Sequence, residues 1–215
     1  MPTTSKVIDA HAHVGRFGSW ANVSCAPEEL LEKMDSARVE KAVLFAPDNL
    51  LVRKAVRSHP KRFVGYVWPN PHDKGALSLV TDAVKRWGFR GIKLHPLVHA
   101  FLPTDDEVLP IVEFAGKERI PVAIHSGHPP FSLPWSIGEL AELYPDVRVV
   151  MLHMGHAHGV YIQAAINTRR DIRPSTSSIG STAGFVKRDS SWRESSVRAS
   201  RESRRTPGGG CFRAS

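Results

Sequence analysis

Between residues 7 and 168 the chain alternates between two hydrophobic rhythms. Short apolar runs rich in β-branched residues recur, namely "KVIDAHAHV", "EKAVLFAP", "RFVGYVWPNP", "FRGIKLHP", "PVAIHSG" and "VRVVMLHMG". Longer segments with apolar residues three and four positions apart lie between them. These are "EELLEKM", "NLLVRKAVRSHP", "GALSLVTDAVKRWG", "DDEVLPIVEFAGKERI", "SIGELAELYPD" and "VYIQAAINT". The first rhythm suits strands buried on both faces, and the second suits amphipathic helices. Ser24 is the candidate cap of the first helix, which starts near Pro27, and Thr104 that of the helix opened by three acids. Repeated strand–helix units demand a parallel sheet.

Successive strands begin roughly every 24 to 33 residues, the span of one βα unit. Six to seven such units in a row predict an α/β fold of the (β/α)8 type, a TIM-like barrel left incomplete. An open doubly wound sheet is the alternative. No Gly-rich phosphate loop follows the first strand, which counts against nucleotide binding.

The pattern breaks after Thr168. From there to Ser215 there is no Leu and no His, and Ser and Arg dominate. "IRPSTSSIGSTAGFVKR" could still supply a seventh strand and the start of its helix, although Pro174 interrupts it. The expected organisation is a barrel over residues 1–188, with its pattern clearest to about 168. Residues 189–215 form a Ser/Arg-rich tail that lacks the apolar residues for a core and is expected to be disordered.

Charge follows the same boundary. The chain carries a formal net charge of +8, of which the first 168 residues contribute +1 and the remainder +7. The basic character belongs to the tail, so no specific nucleic-acid partner is expected of the domain. Two cysteines, Cys25 and Cys211, make neither a disulfide framework nor a zinc-binding pair. With no apolar run of spanning length and no apolar signal core near Met1, no membrane partner is expected and a cytoplasmic location is the default.

Eleven histidines are many for a chain of this length, and their positions matter more than their number. "DAHAH", "KLHP", "IHSG" and "LHMG" each place an imidazole at the C-terminal end of a strand. In a parallel barrel all such ends lie on one face, where active sites are built. His11, His13, His95, His125 and His153 should therefore converge. A single strand-end histidine is more often a polar rim residue than a ligand. His11 and His13 at i and i+2, joined by histidines ending later strands, favour a metal site held by His11, His13 and His125. Strand alternation puts Asp9 on the same side as both, as a partner that would fix an imidazole tautomer. His153 is the candidate catalytic group. Lys93 and His95 are candidate substrate contacts, Lys93 equally able to point into the barrel wall. His99, His128, His156 and His158 fall past strand ends, at the rim. His59 and His72 are expected at the surface, and Trp68 and Trp135 could wall a pocket, with core packing the favoured reading.

These motifs together resemble the amidohydrolase superfamily, in its amidohydrolase-related branch that includes the aminocarboxymuconate semialdehyde decarboxylase-like enzymes. "IDAHAHVG", "GFRGIKLHP", "IPVAIHSG" and "VVMLHMG" match the family's strand-end motifs in order, from about residue 6 to 160 and through "TSSIG" toward 188. The resemblance implies a distorted (β/α)8 barrel with one divalent metal, usually zinc. His11, His13 and His125 would be its ligands, and His153 would polarise the substrate or shuttle a proton. The implied activity is hydrolysis of a small carbonyl-containing substrate by a metal-activated water, with decarboxylation or hydration as the alternative.

One element of that pattern is missing. The family places a metal-binding, proton-accepting Asp at the end of strand eight. The only Asp residues after the sixth strand are Asp171 and Asp189, and neither ends an apolar strand. The expectation is that the reading frame departs from the family's after about residue 168 to 188, and that another frame of the same DNA encodes an apolar strand ending in Asp. The competing expectation is a catalytically inactive, truncated barrel whose unpaired strand edges favour self-association into a homo-oligomer.

Overall fold

The computed structural model describes residues 7–17, 23–156, 159–171 and 180–182. Seven parallel strands form one curled sheet in the order β1 (Val7–Ala12), β4 (Val39–Leu44), β5 (Phe63–Val67), β6 (Gly91–Leu94), β7 (Val122–His125), β8 (Val149–Leu152) and β9 (Gly180–Thr182). Each strand of this sheet pairs with the sheet strand that follows it along the chain, which starts 24 to 32 residues later, as expected of consecutive βα units. The helices α1 (Pro27–Ser36), α2 (Asn49–Ser58), α3 (Ala76–Lys85), α5 (Leu109–Glu118), α6 (Pro134–Leu143) and α7 (Gly159–Asp171) form the crossovers. The sheet runs from β1 to β9, and among the described residues these two outer strands are not paired with each other. Among the described residues the sheet is thus an incomplete barrel, and the open doubly wound alternative falls.

The strand sequences explain the burial. All four residues of β6 and all four of β7 are buried, because helices cover one face of the sheet and the barrel interior covers the other. Leu44, Ile92, Leu94 and Ile124 are fully enclosed, and each contributes about 1.5–3 kcal/mol through burial. Helix α2 presents Val52 and Ala55 to this core and turns its arginines outward.

Three local readings are corrected. Helix α1 is capped at Ala26 without a side-chain bond, and Ser24 instead belongs to a small antiparallel hairpin, β2 (Gly15–Phe17) with β3 (Val23–Cys25). The alternating hydrophobic pattern of three-residue strands is too short to register in sequence. Helix α5 starts at Leu109, not at Thr104. Its three preceding acids lie in turns, where the Asp105 carboxylate accepts a hydrogen bond from the Leu102 N–H at 2.7 Å. Asp side chains compete for backbone donors in this way and so favour turns over helix interiors. Trp135 is 48% exposed rather than packed in the core, with its ring edge-on to Tyr161.

The possible seventh strand in "IRPSTSSIGSTAGFVKR" is realised as β9, parallel to β8. Lys6, His158 and the whole 189–215 tail lie outside the described residues. Among the described residues no helix is long and apolar enough to cross a membrane.

Candidate metal centre

The site is built where the strands end. His11 is in β1, His13 follows it, His125 ends β7, and His153 opens a single 3-10 turn (His153–Gly155) directly after β8. Short β-branched strands carry these residues to the same end of the sheet because all the strands run the same way. The imidazoles of His11 and His13 face each other with their Nε2 atoms 2.9 Å apart. The His153 ring lies 4.6 Å from that of His11 and 4.7 Å from that of His125, centroid to centroid. The predicted convergence of His11, His13, His125 and His153 is present.

His13 is oriented by the chain itself. Its Nδ1 lies 3.0 Å from the Phe45 carbonyl oxygen, which can only accept. Nδ1 therefore carries the proton, and Nε2 presents a lone pair toward His11. This is the tautomer a metal ligand needs, and a backbone carbonyl is a common device for fixing it. Asp9 plays a different part from the one its position suggests. Pairing of β1 with β4 shifts register between Asp9 and Ala12, inserting an extra residue in β1. The bulge breaks the two-residue period. The Asp9 carboxylate accepts from the His11 backbone N–H at 2.9 Å, so it supports the backbone of the bulge and not an imidazole ring.

A continuous aromatic stack runs behind these residues. Trp68 stacks on His95 at 5.3 Å, His95 on His125 at 4.0 Å, and His125 on His128 at 5.2 Å. His95 also caps the short helix α4 (Pro96–His99), its Nδ1 accepting from the Val98 N–H at 3.4 Å. His125 Nε2 and His128 Nδ1 are 3.0 Å apart. His156 reaches the same group, its ring 4.2 Å from His128 and 5.3 Å from His153. His59 and His72 pack against Phe63 and Phe101, away from the cluster.

Lys93 resolves in favour of the barrel interior. It is 1% exposed, its Nζ has no hydrogen-bond partner among the described residues, and it sits over the Phe45 and Trp68 rings at 5.3 and 5.7 Å. Burial drives its pKa well below the ordinary lysine value. Burial also lowers the pKa of His11 and His95 to about 2 and of His13 and His153 to about 4, and lowers that of His125 as well. Neighbouring basic groups push in the same direction. At neutral pH His11, His13, His95, His125 and His153 are therefore uncharged, each ring offering one N–H and one lone pair.

Two features were not visible in the sequence. Ser126, fully buried, donates to the Leu152 carbonyl at 2.6 Å and accepts from the Gly155 N–H at 3.0 Å, so it ties the end of β7 to the turn carrying His153. The turn also demands glycine. At Gly127, where φ is +110°, an added Cβ would meet the Gly155 carbonyl carbon at 2.3 Å. Ser and Gly after a strand-end histidine give the pattern "HSG", but nothing in one sequence says which distant backbone they touch.

The family model described as Amidohydrolase matches residues 8–175. The chain belongs to the amidohydrolase family. Among curated proteins there is no match. Several solved structures share the fold. One is an uncharacterized TIM-barrel protein from Bordetella bronchiseptica, 19% identical with a TM-score of 0.60, the alignment covering 76% of this chain and 72% of that one. Another is a probable 2-pyrone-4,6-dicarboxylic acid hydrolase from Acinetobacter baumannii with citric acid bound, 16% identical with a TM-score of 0.60, covering 76% and 66%. A third is a 5-carboxyvanillate decarboxylase from Novosphingobium aromaticivorans complexed with manganese and a nitrobenzoic acid, 14% identical with a TM-score of 0.60, covering 78% and 70%. At these identities the likeness establishes the fold of this amidohydrolase and leaves its reaction open.

The donor set fits a divalent cation in chemistry but is not closed around one. His13 Nε2 accepts a hydrogen bond from His11 Nε2 at 2.9 Å, which brings the two nitrogens to one point, while no group of three His, Cys, Asp or Glu side chains among the described residues has metal-binding geometry. The His125 ring stacks in the wall and reaches the centre only beside His153.

Proposed function

We propose that this amidohydrolase is a metal-dependent hydrolase acting on a small carbonyl-containing substrate, with His11, His13 and His125 holding one divalent ion. The observation that carries the reading is the approach of His11 Nε2 to His13 Nε2 at 2.9 Å, with His13 Nδ1 held at the Phe45 carbonyl. Two imidazole nitrogens at that separation repel unless a proton or a cation lies between them. In the metal-free protein that proton is the His11 Nε2–H, donated to the His13 Nε2 lone pair, and a divalent ion would take its place with His11 in its Nδ1–H tautomer. Zinc is the ion we assign, because an all-imidazole set suits it and leaves positions open. When bound, the ion supplies Lewis acidity toward a water or carbonyl oxygen.

The chain's own residues do the rest. His153 is neutral at pH 7 and stands beside His11 and His125, so its imidazole can accept a proton from water or hydrogen-bond the substrate oxygen. His95 and Trp68 wall the space and limit water. Lys93, buried under Phe45 and Trp68, has its pKa pushed well below the ordinary lysine value, which weakens its competition with the cation.

A lyase of the same family, a decarboxylase or hydratase, is the second reading. The decarboxylase among the structural neighbours favours it, and the same metal shell serves both reactions. A catalytically inactive barrel is the third, favoured because neither Asp171 nor Asp189, the Asp residues after β8, ends an apolar strand of the sequence. Metal-stripped protein reloaded with zinc or manganese and offered lactones, amides and hydroxybenzoic acids separates the three. Hydrolysis that His153→Ala abolishes is the expected result. Release of carbon dioxide without hydrolysis selects the lyase, and no turnover with metal bound selects the inactive barrel.

A further inference from the structure

The opposite end of the sheet carries a second site of different chemistry. A cavity of about 460 Å³ opens between the C-terminal half of α2, the first residues of β5 and the turn from α3 into β6. Its walls bring together four arginines, Arg53 and Arg57 from α2 and Arg86 and Arg90 from the two sides of that turn, with Trp87 and the buried ring of Phe63 behind them. No carboxylate lines it.

This concentration of charge is local. The domain up to Thr168 is nearly neutral, yet α2 and the residues after it carry Arg53, Lys54, Arg57, Lys61 and Arg62 with no acid between Asn49 and Arg62. Of the four guanidinium groups only Arg86 has a counter-ion among the described residues, Asp82 at 3.4 Å. Arg53 is already placed, its guanidinium 4.9 Å from the centre of the Trp87 ring. Four exposed guanidinium groups line one cavity, three of them without a counter-ion among the described residues, and an anion seated there would be attracted by all of them. Guanidinium groups are planar forks matched to phosphate oxygens, and several of them suit a ligand with more than one negative centre. The cavity lies within the size range of small-molecule sites.

We infer that this arginine pocket binds a small organic molecule carrying two adjacent phosphates. It is separate from the histidine cluster. The pocket opens at Phe63, where β5 begins, and Trp68 stands past the other end of the strand, about 17 Å away at about 3.3 Å per residue. It is also remote from the barrel's open edges, because β5 and β6 are inner strands of the sheet.

The test is calorimetric titration of the full chain, stripped of metal with a chelator, with inorganic pyrophosphate at about 0.15 M salt, where exposed charges are largely screened. Binding at about 1 mM or tighter is expected. Arg57→Glu combined with Arg90→Glu should weaken it by about a hundredfold, roughly tenfold for each lost charge-assisted contact. Arg57→Gln combined with Arg90→Gln should weaken it less, with an unchanged thermal midpoint as the check on folding. His11→Ala combined with His13→Ala should leave it intact. Absence of binding in the unmodified protein, or binding unaffected by the arginine variants, overturns the proposal. Loss of binding in the histidine variant moves the anion to the other end of the sheet and also overturns it. Citrate or sulfate binding as tightly as pyrophosphate overturns the assignment to a diphosphate.

Discussion

Acidification should unfold the metal-free protein well above the pH at which carboxylates titrate. His11, His13, His95, His125 and His153 all have folded pKa values depressed below the ordinary 6.5, chiefly by burial. The unfolded chain therefore binds more protons than the folded one below pH 6.5. Stability falls with pH through that window, down to about 4 for His13 and His153 and to about 2 for His11 and His95. At pH 5.5 each group left neutral in the fold forgoes about 1.4 kcal/mol of protonation free energy available to the unfolded chain. Five independent groups would forgo about 7 kcal/mol. His153 is only partly enclosed, and the folded site can rearrange, so about half of that, 3–4 kcal/mol, is the expected loss. For a domain with a total stability of about 5–15 kcal/mol this is decisive. Urea unfolding followed by tryptophan fluorescence at pH 7.5, 6.5 and 5.5, with a chelator present, reads it directly. His95→Gln, which removes one titrating group, should flatten the pH dependence by about a fifth. A stability unchanged between pH 7.5 and 5.5 would show that the imidazoles are solvated and refute the argument.

Lys93→Met should stabilise the metal-free protein by about 1–3 kcal/mol at pH 7, because it removes a buried amine without a hydrogen-bond partner among the described residues and keeps the volume. Between the depressed folded pKa and the unfolded value near 10.5 the unmodified protein should gain up to about 1.4 kcal/mol per pH unit, and the variant should lack that gain in denaturant titrations at pH 8 to 10. Ser126→Ala should cost about 1–3 kcal/mol, since it strands the Gly155 N–H and the Leu152 carbonyl in the interior. Because the same hydroxyl holds the His153 turn, turnover should fall further than the stability loss explains, as measured on folded protein at low temperature.

The barrel was legible because burial on both faces of a parallel sheet leaves unambiguous apolar runs. Each of the six strands read from "KVIDAHAHV" to "VRVVMLHMG" is present. The convergence of His11, His13, His125 and His153 followed from topology alone, since strand ends of a parallel sheet share one face. Detail finer than the strand was not legible. The bulge at which the Asp9 carboxylate takes up the His11 backbone N–H depends on pairing with β4, a register that no periodicity within β1 encodes. The stacked wall of Trp68, His95, His125 and His128 depends on side-chain directions set by three different strands and their loops. Lys93 read equally as a substrate contact or a wall residue because β6 is buried on both faces, which removes the alternation that would have told them apart.

The central claim is that His11 and His13 share a metal. Titration of chelator-stripped protein with zinc at pH 7.5, followed by metal analysis after gel filtration, tests it most directly. One equivalent per chain, retained by the unmodified protein and lost in both His11→Ala and His13→Ala, is the predicted result. A full equivalent retained in either variant would contradict the account.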